Sequence, residues 1–240
     1  MPQVRITGIP PWVDRERFLG PGPWTNDVAE LSRLEAADLG ARLRGIAIAG
    51  HTLEVQIRPP LKRAMVRAAR TEDARRRRHT TPGFTRTGTR LDPQGKMSLT
   101  PEILALRLGE RARGKTVVDA LSGCGGNAIG FARAGCKVIA MDIDPGRLEM
   151  ARHNAGIYGV ERQITFRLGD ARDLSVDGDL LFLDPPWEAM TLVSQFAQRP
   201  VWIKAPPSFE IPAGFNAEAW FGEAPGDRQR IKFLLLTAAA

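Results

Sequence analysis

The sequence is poor in the residues that build metal centres and covalent frameworks. Among 240 residues there are 2 cysteines, Cys124 and Cys136, and 3 histidines, His51, His79 and His153. Two thiols cannot form a disulfide framework or a four-ligand metal site, and the histidines lie far apart, so no metal is expected. No apolar run approaches the ~20 residues a membrane helix needs. Met1-Pro2-Gln3-Val4-Arg5 lacks the basic-then-apolar pattern of a signal peptide. A cytoplasmic protein without membrane association is therefore expected. Acid is scarce between Leu61 and Arg90, where Glu72 and Asp73 alone oppose Lys62, Arg63, Arg67, Arg70, Arg75, Arg76, Arg77, Arg78, Arg86 and Arg90. Such a run is commonly a solvated helix face or a link. Beside a catalytic domain it also suits a polyanion, and Arg75 to Arg78 are candidate RNA contacts.

What is present fits a globular α/β protein. A hydrophobic content of 43% with 25% charged residues allows one full α/β domain plus a smaller module. The first sixty residues differ in texture from the rest. Val4–Thr7 reads as a strand, and Asn26 as the cap of a helix whose apolar positions are Val28, Leu31, Leu34, Leu39 and Leu43. Segments 46–48 and 53–57 flank Gly50-His51 as a hairpin. A basic helix is expected over Lys62–Arg78, and a loop over Thr80–Lys96. The boundary between an N-terminal module (1–80) and a second domain (81–240) is set there.

From Thr100 onward, helices alternate with apolar strands. Thr100-Pro101-Glu102 reads as a helix start, with Thr as cap and Pro at the first position. Strands are expected at 116–120, 137–141, 164–168, 179–183, 201–204 and 231–236, with helices at 127–133 and 145–158 between the first of them. This order predicts a parallel sheet covered on both faces.

Ligands of such sheets sit beyond the carboxyl ends of the strands, and four features fall there. Asp119-Ala120-Leu121-Ser122-Gly123-Cys124-Gly125-Gly126-Asn127 is a glycine loop that lets backbone approach a ligand. Asp142, 23 residues after Asp119, suits the hydroxyls of a ribose. Gly169-Asp170 follows the third strand and can take an exocyclic amine. Asp184-Pro185-Pro186-Trp187 ends the fourth. There a carboxylate and a carbonyl accept from an NH2 group, the prolines fix φ and bring no donor, and the indole offers a stacking face. Each feature alone has a plain structural explanation, as a tight turn, a helix cap or a rim aromatic. Their order along four successive strands describes a nucleoside site beside an amine site. No Cys–His or Ser–His pair competes for a catalytic role, and both cysteines read as packing.

The stretch from Phe84 to Trp187 resembles the RNA cap guanine-N2 methyltransferase (trimethylguanosine synthase) family. The resemblance rests on Phe84-Thr85-Arg86, Leu91-Asp92 with Gly95, and Ser98-Leu99-Thr100-Pro101-Glu102. It continues through Val118-Asp119-Ala120, Gly123-Cys124-Gly125-Gly126-Asn127, residues 138–145, Ala151-Arg152-His153-Asn154-Ala155 and Tyr158-Gly159-Val160. It implies a Rossmann-like class I methyltransferase fold, a mostly parallel seven-stranded sheet, beside a small N-terminal α+β module. It also implies S-adenosyl-L-methionine as cofactor and RNA as partner.

By that resemblance Asp119, Ser122, Gly123, Gly125 and Asn127 line the methionine side of the cofactor. Asp142 and Ile143 serve the ribose side, and Asp170 and Ala171 the adenine. Phe84 and Thr100 close over it. Asp184 and Pro185 orient the acceptor amine, and Trp187 stacks on the base with Glu188 beside it. Where the family has Gly-Gly-Pro after the tetrapeptide, this chain has Glu188-Ala189-Met190. The Arg- and Ala-rich composition suggests a bacterial relative. The expected activity is methylation of guanine N2 in RNA. The alternatives are adenine N6 in RNA or DNA, a small-molecule amine, or an RNA-binding protein without catalysis.

Overall fold

The computed structural model describes residues 1–173, 178–185 and 200–238. The chain divides into two compact units. The first contains Met1–Thr81, Pro206–Pro212 and Ala217–Leu234; the second contains Pro82–Ala205, Ala213–Asn216 and Leu235–Ala240.

The first unit runs β1 (Gln3–Thr7), α1 (Arg15–Leu19), β2 (Val28–Glu30), α2 (Arg33–Leu43), β3 (Ala47–Ile48), β4 (His51–Thr52), β5 (Glu54–Arg58) and α3 (Arg63–Arg76). Strand β1 lies between β2 and β5, antiparallel to both. Its period-2 alternation turns Val4 and Ile6 inward. The helix expected from Asn26 does not form there. Thr25 and Val28 exchange backbone hydrogen bonds of 2.8 and 3.0 Å around Asn26 and Asp27, whose φ values are 49° and 62°. Two left-handed residues between paired positions make a tight hairpin turn of the primed kind, so Val28 enters β2. The helix starts later, where Ser32 and Glu35 form a reciprocal capping box. A hairpin does form at Ala49-Gly50, but it joins β3 to β4, and β5 pairs with β1 instead.

Buried charge organises this unit. Arg42 is 6% exposed and donates to the Phe18 and Leu19 carbonyls at 2.5 and 2.9 Å, satisfying the end of α1. Burial lowers its pKa to about 10. Asp73, on α3, is also buried. Arg77 Nε donates to it at 3.0 Å and Arg230 reaches its other oxygen. Asp227 accepts from the Thr81 amide and hydroxyl at 2.9 and 2.7 Å, with Lys232 Nζ 3.0 Å away.

The second unit begins with α4 (Pro93–Ser98), which starts inside the stretch expected to be loop and runs past its end, and α5 (Glu102–Arg111). It continues with β6 (Thr116–Asp119), α6 (Gly126–Arg133), β7 (Lys137–Asp142), α7 (Pro145–Tyr158), β8 (Ile164–Leu168), β9 (Leu180–Leu183) and β10 (Val201–Ala205). Strands β11 (Phe215–Phe221) and β12 (Ile231–Ala238) hold residues of both units. The sheet order is β11-β12-β10-β9-β6-β7-β8. Strands β8, β7, β6, β9 and β10 are pairwise parallel. The strand order reverses between β6 and β9, and crevices at such a switch point bind ligands. Helices α6 and α7 pack against β7 and β8. Strand β9 is buried along its whole length, as expected for a central strand covered on both faces.

Two glycines set the approach of α5 to α6. A Cβ on Gly130 would lie 2.5 Å from the Ala105 backbone, and one on Gly109 would lie 2.6 Å from the Gly130 carbonyl. Phe131 meets Phe182 edge-on at 5.1 Å, locking α6 to β9. No described helix is long and apolar enough to cross a membrane. Among the described residues no cluster of three or more His, Cys, Asp or Glu could hold a metal ion.

Candidate active site

The carboxyl ends of β6, β7, β9 and β10 converge on one set of polar side chains. Asp119 closes β6 and is fully buried. No hydrogen bond of ordinary geometry reaches either of its oxygens, although Ser122 and the Ala128 amide approach it, and Ser122 Oγ and Asn127 Oδ1 likewise make no well-formed bond. Burial raises the Asp119 pKa to about 8, reinforced by the nearby charges of Asp184 and Asp142; Ser122 and the Ala128 amide offset only part of this. Buried polar atoms are ordinarily paired. Three such groups on one strand end and its loop are acceptors suited to a cationic donor such as an ammonium group.

The glycine loop is shaped by its backbone. Gly123 and Gly125 have φ of 52° and 88°, and the Gly123 amide donates to Asp142 Oδ2 at 2.8 Å. The other Asp142 oxygen accepts from the Asp144 amide at 3.0 Å. Asp142 therefore ties the loop to the end of β7, and each oxygen retains a further lone pair. Ile143 beside it is 65% exposed, an unusual state for a large apolar side chain at a strand end.

Asp184 is where the elements meet. Its Oδ2 accepts from Lys204 Nζ at 2.8 Å, Asn127 Nδ2 at 3.0 Å and Thr100 Oγ1 at 3.4 Å. Thr100, expected as a helix cap, points its hydroxyl at Asp184 instead, and Pro101 stands at the cap of α5. Lys204 also donates to the Ser98 carbonyl at 3.1 Å. Leu99, between these two contacts, packs so closely that a Cβ on Gly126 would lie 2.5 Å from its methyl and one on Gly83 2.6 Å. The Ser98–Thr100 segment is thus fastened onto the loop by one apolar and two polar contacts.

Phe84 sits 5.5 Å from the Tyr158 ring, and the adjoining Thr85 hydroxyl donates to Glu102 at 2.7 Å. Burial would raise the Glu102 pKa, but bonds from Tyr158, Thr85 and Arg133 outweigh it and hold the pKa at about 2. Asp170 lies apart from the buried cluster. Arg172 forks both its oxygens, and that bond lowers its pKa to about 2. Ala171 is buried, and Pro185 follows Asp184 as a buried residue. Trp187 and Glu188 lie outside the described residues.

The arginine run belongs to the first unit, and much of it is occupied. Arg75 pairs with Glu72 at 2.8 Å, Arg77 with Asp73 at 3.0 Å, and Arg76 with Asp38. Arg78 is exposed. Lys204 was not singled out in the sequence. A lysine near the end of an otherwise apolar strand, Val201-Trp202-Ile203-Lys204, was its one available signal.

Residues 114–195 match the family described as RNA cap guanine-N2 methyltransferase. Over 112 residues the chain is 40% identical to "Trimethylguanosine synthase" of Schizosaccharomyces pombe, an alignment of 42% of this chain and 46% of that protein. It is 44% identical over 61 residues to "tRNA (guanine(37)-N(1))-methyltransferase" of Danio rerio, covering 25% of this chain and 13% of that one. The chain thus spans less than half the length of these curated relatives. Among solved structures, an RNA methyltransferase from Salinibacter ruber in complex with S-adenosyl-L-homocysteine aligns with TM-score 0.44 and 23% identity, over 58% of this chain and 92% of that one. Residues 114–195 are thus similar to the RNA cap guanine-N2 methyltransferase family, and they lie in a mostly parallel seven-stranded sheet with helices against it.

Proposed function

We propose that this protein is an S-adenosylmethionine-dependent N-methyltransferase acting on the exocyclic amine of guanine, N2, in RNA. The observation that carries the reading is Asp184, fixed through one oxygen by Lys204, Asn127 and Thr100 at the end of the strand beside the glycine loop. Its Oδ1, with the Pro185 carbonyl, is the acceptor pair for the two N–H bonds of a planar amine. The family match through residues 114–195 supports the guanine assignment.

The unpartnered buried atoms fit the cofactor. Asp119, Ser122 and Asn127 Oδ1 suit the ammonium of its methionine part. The remaining lone pairs of Asp142 suit the ribose hydroxyls, and exposed Ile143 suits the adenine face. Asp170 serves the adenine amine once Arg172 yields an oxygen. Phe84 and Thr100 cover the other side. When bound, the cofactor supplies an activated methyl group on a sulfonium.

This chain's residues then do the positioning, the main part of such catalysis. Two acceptors on the amine hydrogens turn its lone pair out of conjugation with the ring and toward the methyl. Asp184 is placed to accept the proton that the amine nitrogen would lose on methylation. Trp187 stacks on the base, holding its plane.

The test is incubation of total RNA with methyl-labelled cofactor, followed by nucleoside analysis. Label in N2-methylguanosine is expected; label confined to 1-methylguanosine or N6-methyladenosine overturns the guanine-N2 assignment. Trp187→Ala should reduce methyl transfer by roughly 5- to 150-fold, equivalent to the ~1–3 kcal/mol of one stacked base, with cofactor affinity nearly intact. Equal loss of both would contradict stacking.

A further inference from the structure

The sequence draws the eye to Arg75–Arg78 as the basic contact for RNA, yet three of these four already face a carboxylate: Glu72, Asp38 and Asp73. A guanidinium must give up that partner to take a phosphate, and the released carboxylate would repel the same phosphate. Elsewhere on α3 the situation is the reverse. Arg63, Arg67 and Arg70 are exposed, and among the described residues none of them has a side-chain ion pair or hydrogen bond. Their spacing is i, i+4, i+7, which places them within about 60° of helix arc and spreads them over roughly 10 Å of its length.

The rest of α3 agrees with this orientation. Its half-buried residues Met65, Val66 and Ala69 and its buried Asp73 fall on a separate, adjoining arc of the helix, and α3 packs on α2. Beside the arginines the exposed residues are small, Ala64, Ala68 and Thr71, so a bulky backbone can approach without obstruction. Between Lys62 and Thr71 the helix carries no acid.

We infer that the Arg63–Arg67–Arg70 stripe of α3 is the RNA-docking surface of the first unit, binding consecutive phosphates of the chain that supplies the acceptor base. The partner rests on the RNA reading given above. A sequence-independent phosphate contact of this kind shows itself in the salt dependence of binding.

The experiment compares wild type with the triple variant Arg63→Gln, Arg67→Gln, Arg70→Gln, using labelled mixed-sequence RNA titrated at several salt concentrations. The expected result is at least a tenfold loss of affinity at low salt and a salt slope smaller by about two to three, the share of three phosphate contacts. Cofactor affinity and thermal unfolding should match wild type. The paired set Arg75→Gln, Arg76→Gln, Arg77→Gln should change the slope far less and lower the unfolding temperature. Unchanged RNA affinity in the stripe variant overturns the inference, as does an equal or larger loss in the paired set. Loss of binding to phosphatidylserine vesicles with RNA binding intact also overturns it. Wild-type methylation of RNA is measured alongside. RNA methylation with an unaffected stripe variant sinks the stripe alone, whereas cofactor binding without any RNA binding or methylation sinks the RNA reading itself.

Discussion

Asp73 in the first unit and Asp119 in the second are both buried carboxylates, exposed by 4% and 0%, and they have opposite surroundings. Asp73 is enclosed by Arg77 and Arg230, with Arg76 at its edge. Asp119 has no well-formed hydrogen bond, and the like charges of Asp184 and Asp142 act on it. A saturated buried charge is architecture, because removing it leaves its partners uncompensated. A buried carboxylate left unsatisfied at a strand end costs the fold stability. The difference separates a unit whose buried acid is saturated from one whose buried acid is not.

The sharpest way to break this comparison is to remove each acid. Asp73→Ala should be the most damaging change, destabilising by about 3–5 kcal/mol, since it strands largely buried Arg230. Denaturant unfolding measures it, and a loss near zero would make the cluster ornamental.

Asp119→Asn should act in the opposite sense on the unliganded protein. A raised folded pKa means that the carboxyl's contribution is present below its unfolded pKa near 4 and is lost as pH rises to about 8. Wild type should therefore lose stability across that window, and the asparagine variant should be flatter and more stable near neutrality. Its affinity for S-adenosylmethionine should fall at least tenfold. A variant both less stable and pH-dependent like wild type would contradict the reading.

The smallest effect belongs to Glu102, a saturated acid in the second unit. Its pKa is held at about 2, so its contribution is present above its unfolded pKa near 4.5 and lost as pH falls toward 2. Glu102→Gln should remove this acid limb and cost about 1 kcal/mol at neutral pH, discounted for partial exposure of the bonds it makes. Unfolding curves at pH 7 and at pH 3 decide it.

Much of the second unit could be read from local signals. Asp119, Asp142 and Asp184 end apolar strands, and strand ends are visible as changes of hydropathy. The sequence places the helix start at Thr100-Pro101 one residue early, since Thr100 is claimed by a carboxylate 84 positions away. Lys204 is silent in the sequence because its meaning lies in Asp184, at the end of a different strand. The same holds for the arginine run, where Asp38, 38 positions from Arg76, decides which charges are spent. At Asn26 two local rules competed: asparagine caps helices and also accepts the left-handed turn, and pairing with β1 chose the turn. Strand β11, of sequence FNAEAWF, alternates too weakly to be found by period alone.

The chain order of the first unit has a consequence for synthesis. Residues 1–81 leave the ribosome long before 206–212 and 217–234, which supply Arg230 to Asp73 and Asp227 to Thr81. At about 5–20 residues per second, the earliest-made part of the protein waits on the order of ten seconds or more for the segment that completes it, while the strands of the seven-stranded sheet are still being delivered. Birth order and completion order are therefore inverted: through that interval Asp73 has only its local partners on α3, Arg76 and Arg77, and Thr81 lacks Asp227.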